Sequence, residues 1–205
     1  MSAPDGGILV VCTANVCRSP MAEFALRRGF GQRAGLDGVA VASAGVRVAE
    51  ERSACAEVIA FRDEPAWAQM GSKHRARALE PSMIRAAALV VTATREQRSS
   101  VVAAAPEMRG VVFTLREALW LGNDYERGDS TPAPRAVAAF REHIHGMRGL
   151  RPLPTQARRR FWRAGPDPLD IPDGHGGGAR DHHAAMRAAL AAGNQLAELI
   201  GGRGS

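Results

Sequence analysis

The fold is decided by the stretch Gly7-Ile-Leu-Val-Val-Cys12-Thr-Ala-Asn-Val-Cys17-Arg18-Ser19-Pro20 near the start of the sequence. Its short apolar run, which ends at Cys12, is typical of a strand buried on both faces of a parallel sheet. Pro20 suits the first turn of a helix, and the apolar residues after it recur at helical spacing. The sequence therefore predicts a strand, a tight loop and a helix in direct succession.

The rest of the chain continues this alternation of strands and helices. Apolar runs predict further strands at residues 39–43, 88–92 and 111–114. Helical spacing predicts helices at 53–61, 82–87 and 95–104, then near 134–145 and about 180–200. Such alternation predicts an α/β fold: a doubly wound four-stranded parallel sheet with helices on both faces. Ligands of these sheets bind at the carboxyl ends of the strands, where Cys12 lies.

Length and composition predict one globular domain over residues 1–205. Of the 205 residues, 45% are hydrophobic and 23% charged, which is ordinary for a folded globular protein. A divergent segment at about 149–178, rich in Pro, Arg and Gly, is expected to be an insertion or flexible. Because no apolar run approaches the ~20 residues of a membrane span and no signal sequence precedes the first strand, we expect no membrane partner and a cytoplasmic location.

Charge and cysteine content narrow the function classes further. The net charge of +6 comes from scattered arginines, and the dense cluster Arg158-Arg159-Arg160 is more typical of a solvated loop than of a nucleic-acid site. The three cysteines are unevenly spaced, which favours free thiols over a disulfide framework or a metal site. We therefore expect no nucleic-acid partner, no metal and no cofactor, and a monomer or weak dimer.

The loop after the first strand has the residues of a phosphate-binding nucleophile site. A thiol attacks as the thiolate, which a helix N-terminus and nearby cations stabilise, and Cys12 is expected to have both. The backbone N–H groups of a curled loop can point inward and cradle a phosphate dianion. The residues predicted to bind phosphate in this way are Thr13, Ala14, Asn15, Val16, Cys17 and Arg18.

Three side chains of this loop have predicted roles beside the nucleophile. The planar guanidinium of Arg18 can hold two phosphate oxygens as they move into the transfer geometry. The Ser19 hydroxyl can donate a hydrogen bond to the Cys12 thiolate and so help it to leave in a second step. Asn15 tolerates a left-handed backbone and can brace the loop.

This segment, continued by Ser19-Pro20-Met21-Ala22-Glu23, closely resembles the signature of the low-molecular-weight protein tyrosine phosphatases, which the thioredoxin-type arsenate reductases share. Ser43-Ala44-Gly45, His74-Arg75-Ala76-Arg77 and Ala88-Leu-Val-Val-Thr-Ala-Thr94 also resemble family motifs. The resemblance implies that Ser43 and His74 support Asn15 and Ser19 by hydrogen bonds. The sequence departs from the family at Ala14, where glycine is usual.

The resemblance also implies a general acid from a late loop, which here reads Pro166-Asp167-Pro168-Leu-Asp170-Ile-Pro-Asp173-Gly174-His175. A carboxylic acid that protonates the leaving oxygen contributes roughly 10²–10⁴ in rate. The spacing Asp-Ile-x-Asp before glycines, which matches the family, places Asp173 at the acid position, with Asp170 as the second candidate. Gly174 and His175 stand where the family has proline and an aromatic residue. An aspartate in such a loop can equally be a turn former.

The resemblance thus predicts a protein tyrosine phosphatase that works through a cysteinyl-phosphate intermediate. Its substrates are expected to be phosphotyrosine in a protein or a small aryl phosphate, although residues 46–52 lack the aromatic residue that often grips the ring.

Two alternatives to this function stay open from the sequence. They are an arsenate reductase that uses an external thiol, since Cys55 lies outside the expected relay positions, and a catalytically silent phosphate-binding protein. Cys17 is open between a protective disulfide with Cys12 and loop packing.

Overall fold

The computed structural model describes residues 6–128, 132–154, 167–174 and 177–202. Its sheet has the strand order β2-β1-β3-β4, and all its neighbouring strands are parallel. The four strands are β1 (Ile8–Cys12), β2 (Val41–Gly45), β3 (Leu89–Thr92) and β4 (Val112–Thr114). This confirms the predicted doubly wound, four-stranded parallel sheet.

Helices cover both faces of the sheet. Within the described residues they are α1 (Arg18–Gly31), α2 (Ala56–Ile59), α3 (Pro65–Lys73), α4 (Pro81–Ala86), α5 (Arg95–Ala104), α6 (Leu115–Leu121), α7 (Ala133–Gly146) and α8 (Ala179–Gly201), with a 3₁₀ helix at Pro106–Val111. Side chains of β1 alternate between two apolar clusters. Ile8 and Val10 join the cluster that contains α1 and α8, whereas Leu9 and Val11 join the cluster that contains α4 and α5. None of the described helices has both the length and the apolar character needed to cross a membrane.

The second strand begins and ends two residues later than the sequence suggested. It pairs with β1 in the register Ile8 opposite Val41 and Cys12 opposite Gly45, so the pairing continues to the last residue of β1. At Gly45 the strand passes close to the loop, because a Cβ there would lie 2.6 Å from the carbonyl oxygen of Thr13. Glycine at this position therefore lets β2 run alongside the start of the loop.

The boundaries of several helices differ more from the sequence-based predictions. The helix expected at 53–61 shortens to α2, while α3 and α6 were not predicted. The signal for α6 is a capping box, in which the Thr114 side chain accepts from the Glu117 N–H and the Glu117 carboxylate accepts from the Thr114 N–H. In the divergent segment, residues 149–154 and 167–174 contain neither helix nor strand, and 155–166 and 175–176 lie outside the described residues. The single-domain assignment stays a prediction.

Close contact between α1 and α8 fixes one face of the protein. A Cβ on Gly193 would lie 2.7 Å from the Ala25 Cβ and 2.8 Å from the Ala22 carbonyl oxygen. On the other helix, a Cβ on Gly29 would lie 2.6 Å from the Ala197 Cβ. Small residues on both helices therefore let the two backbones approach each other directly.

We expect Gly193→Ala to lower the free energy of unfolding by about 1–3 kcal/mol, because the added methyl group overpacks the α1–α8 contact. Urea denaturation measures this change. Gly31→Ala in α1 is the matched control, since nothing lies within 4 Å of its Cβ position. It should be neutral or mildly stabilising. Equal effects of the two substitutions would contradict the packing explanation.

Candidate active site

Cys12, the last residue of β1, is buried, and α1 begins at Arg18 after the loop residues 13–17. The Cys12 Sγ lies 3.0 Å from the Oγ of Ser19 in the first turn of α1. A thiolate can only accept, so in that form of Cys12 the Ser19 hydroxyl is the donor. The strand thus delivers a sulfur to the N-terminal end of a helix, where negative charge is stabilised.

Asn15 holds the loop in its curled shape. It is fully buried and, at φ 56°, is the only non-glycine residue with positive φ among those described. Its Nδ2 donates to Ser19 Oγ at 2.9 Å and to Ser43 Oγ at 2.7 Å, and its Oδ1 accepts from the Arg77 N–H at 3.0 Å. Ala14 does not adopt the left-handed conformation, so alanine fits where the family usually has glycine.

Two further residues extend this hydrogen-bond network. The Ser43 hydroxyl donates to Glu23 Oε2 at 2.5 Å, and Glu23 pairs with Arg27 at 2.8 Å. The sequence indicated Glu23 only as part of a motif and gave it no role. His74 Nε2 lies 2.8 Å from the Asn15 carbonyl oxygen, which can only accept. His74 therefore contacts Asn15 rather than Ser19, and burial lowers the pKa of its ring.

Arg18 extends its buried side chain across the mouth of the loop. Nη1 donates to the Ile171 carbonyl oxygen at 3.1 Å. Nη2 donates to Thr13 Oγ1 at 3.2 Å and forms an ion pair with Asp173 Oδ2 at 2.6 Å. Thr13 Oγ1 also accepts from Gln97 Nε2 at 3.0 Å, a contact that the sequence did not indicate. The guanidinium is therefore held by both the loop and the late segment.

The three aspartates of the late segment lie in different surroundings. Asp170 Oδ1 accepts from the Arg95 N–H at 2.8 Å, at the start of α5. Asp167 accepts from the Leu169 N–H at 2.9 Å and pairs with the Arg95 guanidinium at 2.8 Å, and these contacts lower its pKa. Asp173 is half-exposed and lies against Arg18. Among the described residues, Asp173 is thus the aspartate of this segment that the structure brings to the loop.

Gly174, next to Asp173, packs against the backbone of Asp181 and His182 at the start of α8. Any Cβ at Gly174 would overlap these atoms, so the departure from proline at this position has a steric reason. His175, considered as a replacement for the missing aromatic residue, lies outside the described residues.

The thiol of Cys17 points to a second group of residues. Its Sγ lies 2.9 Å from Cys55 Sγ and 3.3 Å from His182 Nε2. The hydrogen bond from Cys17, with help from nearby His182, lowers the pKa of Cys55 to about 7, whereas that bond and burial raise the pKa of Cys17. The sequence indicated Cys55 only as a cysteine outside the expected relay positions, and it did not indicate His182. Neither residue has a motif that connects it to the loop.

Cys12 at the end of β1 and Arg18 at the start of α1 enclose the loop of a parallel α/β sheet, which is the arrangement expected of a cysteine-dependent phosphatase. The family model of low molecular weight phosphotyrosine protein phosphatase matches residues 7–129. The chain belongs to this family, which confirms the family and the enzyme class expected from the sequence.

Curated relatives agree with the family match. The chain is 35% identical over 140 residues to the low molecular weight protein-tyrosine-phosphatase Etp of Escherichia coli, covering 68% of this chain and 85% of that protein. It is 34% identical over 110 residues to a protein-arginine-phosphatase of Bacillus subtilis, covering 54% of this chain and 70% of that protein.

Solved structures share the fold. A low molecular weight protein tyrosine phosphatase from Bacillus subtilis matches with a TM-score of 0.57 at 24% identity, covering 95% of this chain and 96% of the other. A protein tyrosine phosphatase from Entamoeba histolytica gives a TM-score of 0.58 at 15% identity, with coverages of 93% and 94%. At these identities the likeness concerns the fold.

We expect Asn15→Gly to destabilise the protein by about 1–3 kcal/mol, because it leaves the buried hydrogen-bond partners of the amide unsatisfied. Asn15→Ala loses the same bonds and must also adopt a left-handed backbone, so it should be about 1 kcal/mol less stable than the glycine variant. Urea unfolding of both variants separates the two contributions. Equal stabilities would contradict this prediction, because the left-handed cost of alanine would then not exceed the greater unfolded-chain entropy of glycine.

Proposed function

We propose that this chain hydrolyses phosphate monoesters of protein tyrosine residues through a cysteinyl-phosphate intermediate. The observation that carries the proposal is the convergence of Arg18 and Asp173, with 2.6 Å between their charged groups, at the loop that begins at Cys12. These residues are far apart in sequence and come from the first helix and the late segment. Such a group of nucleophile, cation and carboxylate matches the needs of phosphoryl transfer.

In the first step, the Cys12 thiolate attacks phosphorus while the bond from phosphorus to the ester oxygen breaks. The backbone N–H groups of Thr13, Ala14, Asn15, Val16 and Cys17, together with the Arg18 guanidinium, are proposed to hold the equatorial oxygens. In the second step, water attacks the thiophosphate and the sulfur leaves as a thiolate. Donation from the Ser19 hydroxyl, 3.0 Å from the sulfur, stabilises that leaving thiolate.

Arg18 and Asp173 pair with each other when no anion separates them. A bound phosphate dianion competes for the Arg18 guanidinium, because a bidentate contact with two phosphate oxygens matches its planar fork. The contacts of Arg18 with Ile171 and Thr13 keep its side chain at the mouth of the loop during this exchange. Asp173 is then released from the ion pair and takes up a proton from solvent, and we propose that this carboxylic acid protonates the leaving oxygen.

The surroundings of the late segment support Asp173 over Asp170 as the general acid. Asp170 already accepts the backbone N–H of Arg95 and so serves the start of α5. Asp173 has a half-exposed side chain beside Arg18, where a substrate can reach it. A general acid must lie within hydrogen-bond reach of the oxygen that it protonates.

The substrate class follows from the relatives and from the residues near the loop. Phosphotyrosine in a protein, or a small aryl phosphate, is the proposed substrate, in keeping with the names of relatives such as Etp. Phosphoarginine is a second candidate, since a relative at 34% identity is named a protein-arginine-phosphatase and residues 46–52 contain no aromatic side chain to hold a phenyl ring. A cytoplasmic location and a monomer or weak dimer stay predictions.

We expect Cys12→Ser to abolish hydrolysis of a phosphotyrosine peptide and of para-nitrophenyl phosphate, because the hydroxyl is a far weaker nucleophile. Asp173→Asn should lower kcat for phosphotyrosine by about 10²–10⁴, and by less for nitrophenyl phosphate, whose leaving group needs less protonation. Steady-state kinetics on the two substrates measure both effects. Unchanged rates in Cys12→Ser would rule out the cysteinyl-phosphate mechanism.

Asp170→Asn is the matched control for the general acid. It should change kcat only a few-fold and instead lower stability by about 0.5–2 kcal/mol, because it weakens the charged hydrogen bond to the Arg95 N–H at the start of α5. A large loss of kcat in Asp170→Asn, with little loss in Asp173→Asn, would reverse the assignment.

Three measurements on the wild-type chain separate the competing functions. Phosphoarginine peptide hydrolysed faster than phosphotyrosine peptide would change the substrate class and leave the mechanism in place. Arsenate-dependent oxidation of an added thiol, without hydrolysis, would indicate a reductase. Phosphate binding without either reaction would indicate a silent binding protein.

A further inference from the structure

The side chains of Cys17, Cys55 and His182 form a compact cluster at the catalytic loop, and the proposed mechanism does not use these side chains. Cys17 is the last residue of the loop, Cys55 immediately precedes α2, and His182 lies in the first turns of α8. The three come from separate parts of the chain and meet through their side-chain tips. Cys17 is buried and Cys55 is partly buried, so the cluster is sheltered at the base of the loop.

The distances within the cluster match those of a soft-metal site. The two sulfurs lie 2.9 Å apart, and His182 Nε2 lies 3.3 Å from Cys17 Sγ and 3.7 Å from Cys55 Sγ. Around a tetrahedral zinc ion, with Zn–S of about 2.3 Å and Zn–N of about 2.1 Å, such ligand atoms are roughly 3.6–3.8 Å apart. The nitrogen is thus near its required position, and the sulfurs need to separate by less than ~1 Å.

The histidine distinguishes a metal site from a disulfide. A bond between Cys17 and Cys55 would use the two sulfurs alone and would give His182 no part. The imidazole instead directs one nitrogen at both sulfurs, and two thiolates with one imidazole are a ligand set that zinc prefers. These three form the cluster of possible metal-ligand side chains found among the described residues.

We propose that Cys17, Cys55 and His182 bind a Zn²⁺ ion, with water completing a tetrahedral coordination. Binding displaces the thiol protons to solvent and forms two Zn–S bonds and one Zn–N bond, with no change of oxidation state. The site does not include Cys12, Arg18 or Asp173, which the proposed reaction uses.

A zinc ion at this site would link separate parts of the chain. Zinc would join the end of the phosphate-binding loop to the start of α8. The backbone of His182 also packs on Gly174, the neighbour of Asp173. The ion would therefore brace the loop and the late segment against the same helix.

The test is metal binding to the full chain, kept reduced with a phosphine and stripped of metal with a chelator. We expect one Zn²⁺ per chain in competition with a chromophoric chelator. Co²⁺ should give the thiolate-to-metal charge-transfer absorption and the visible bands of tetrahedral coordination. His182→Ala and Cys55→Ser should each weaken Zn²⁺ binding by more than ~100-fold, since loss of outer partners alone costs 10–100-fold.

Two control variants make the assignment specific. His183→Ala removes the neighbouring histidine of α8, whose ring stacks on Phe61 instead, and should keep the metal affinity. Cys12→Ser removes the thiol at the other end of the loop and should also keep the metal affinity. Because the readout is metal binding, it is independent of whether the chain hydrolyses phosphotyrosine.

Three outcomes would overturn the proposal. They are failure of the reduced wild-type chain to bind Zn²⁺, loss of binding in Cys12→Ser, and unchanged binding in His182→Ala. If reduced protein binds no metal and mass spectrometry of oxidised protein finds a Cys17–Cys55 bond, the pair is a disulfide and His182 is its neighbour.

Discussion

The left-handed backbone of Asn15, held by its own buried side chain, is the constraint on which the site depends. A five-residue arc between a strand and a helix has to reverse direction, and at Asn15 the reversal is stabilised by bonds to Ser19, Ser43 and Arg77. The orientation of Ser19 beneath the Cys12 sulfur follows from the same bonds. The loop is thus shaped before any anion arrives, so little ordering remains to oppose binding.

The late segment is positioned by the sheet rather than by the divergent chain that precedes it. The Ile171 N–H donates to the Ala93 carbonyl oxygen at 2.8 Å, just after β3, and Thr114 at the end of β4 donates to the Leu169 carbonyl oxygen at 2.8 Å. Asp170, from the same stretch, accepts the Arg95 N–H at the start of α5. These bonds attach the segment to the carboxyl edge of the sheet, which brings Asp173 to Arg18. The late segment can therefore keep its place while the sequence before it diverges.

Sequence reasoning succeeded where local pattern and fold agree. The strand before Cys12, the helix after Pro20 and the alternation of strands and helices along the chain all follow from hydrophobic periodicity and from turn-forming residues, which are local properties. The sequence-based predictions failed at positions whose structure depends on tertiary contacts. The end of β2 depends on pairing with β1, and the explanation for Gly174 is the backbone of α8, which lies close only in the folded chain. His182 likewise has no motif, so its approach to Cys17 could be found only from coordinates.

Cys12 and Cys17 stand at the two ends of the loop, and their sulfurs lie in different surroundings. Cys12 ends a strand, and its sulfur contacts the Ser19 hydroxyl in the first turn of α1. Cys17 precedes α1, and its sulfur turns to a second thiol and an imidazole. Because the arc reverses the chain between them, the sulfurs have different partners although only four residues separate the cysteines. The Cys17 thiol contacts Cys55 and His182, so a disulfide with Cys12, which an oxidant would have to form, requires Cys17 to leave these partners first.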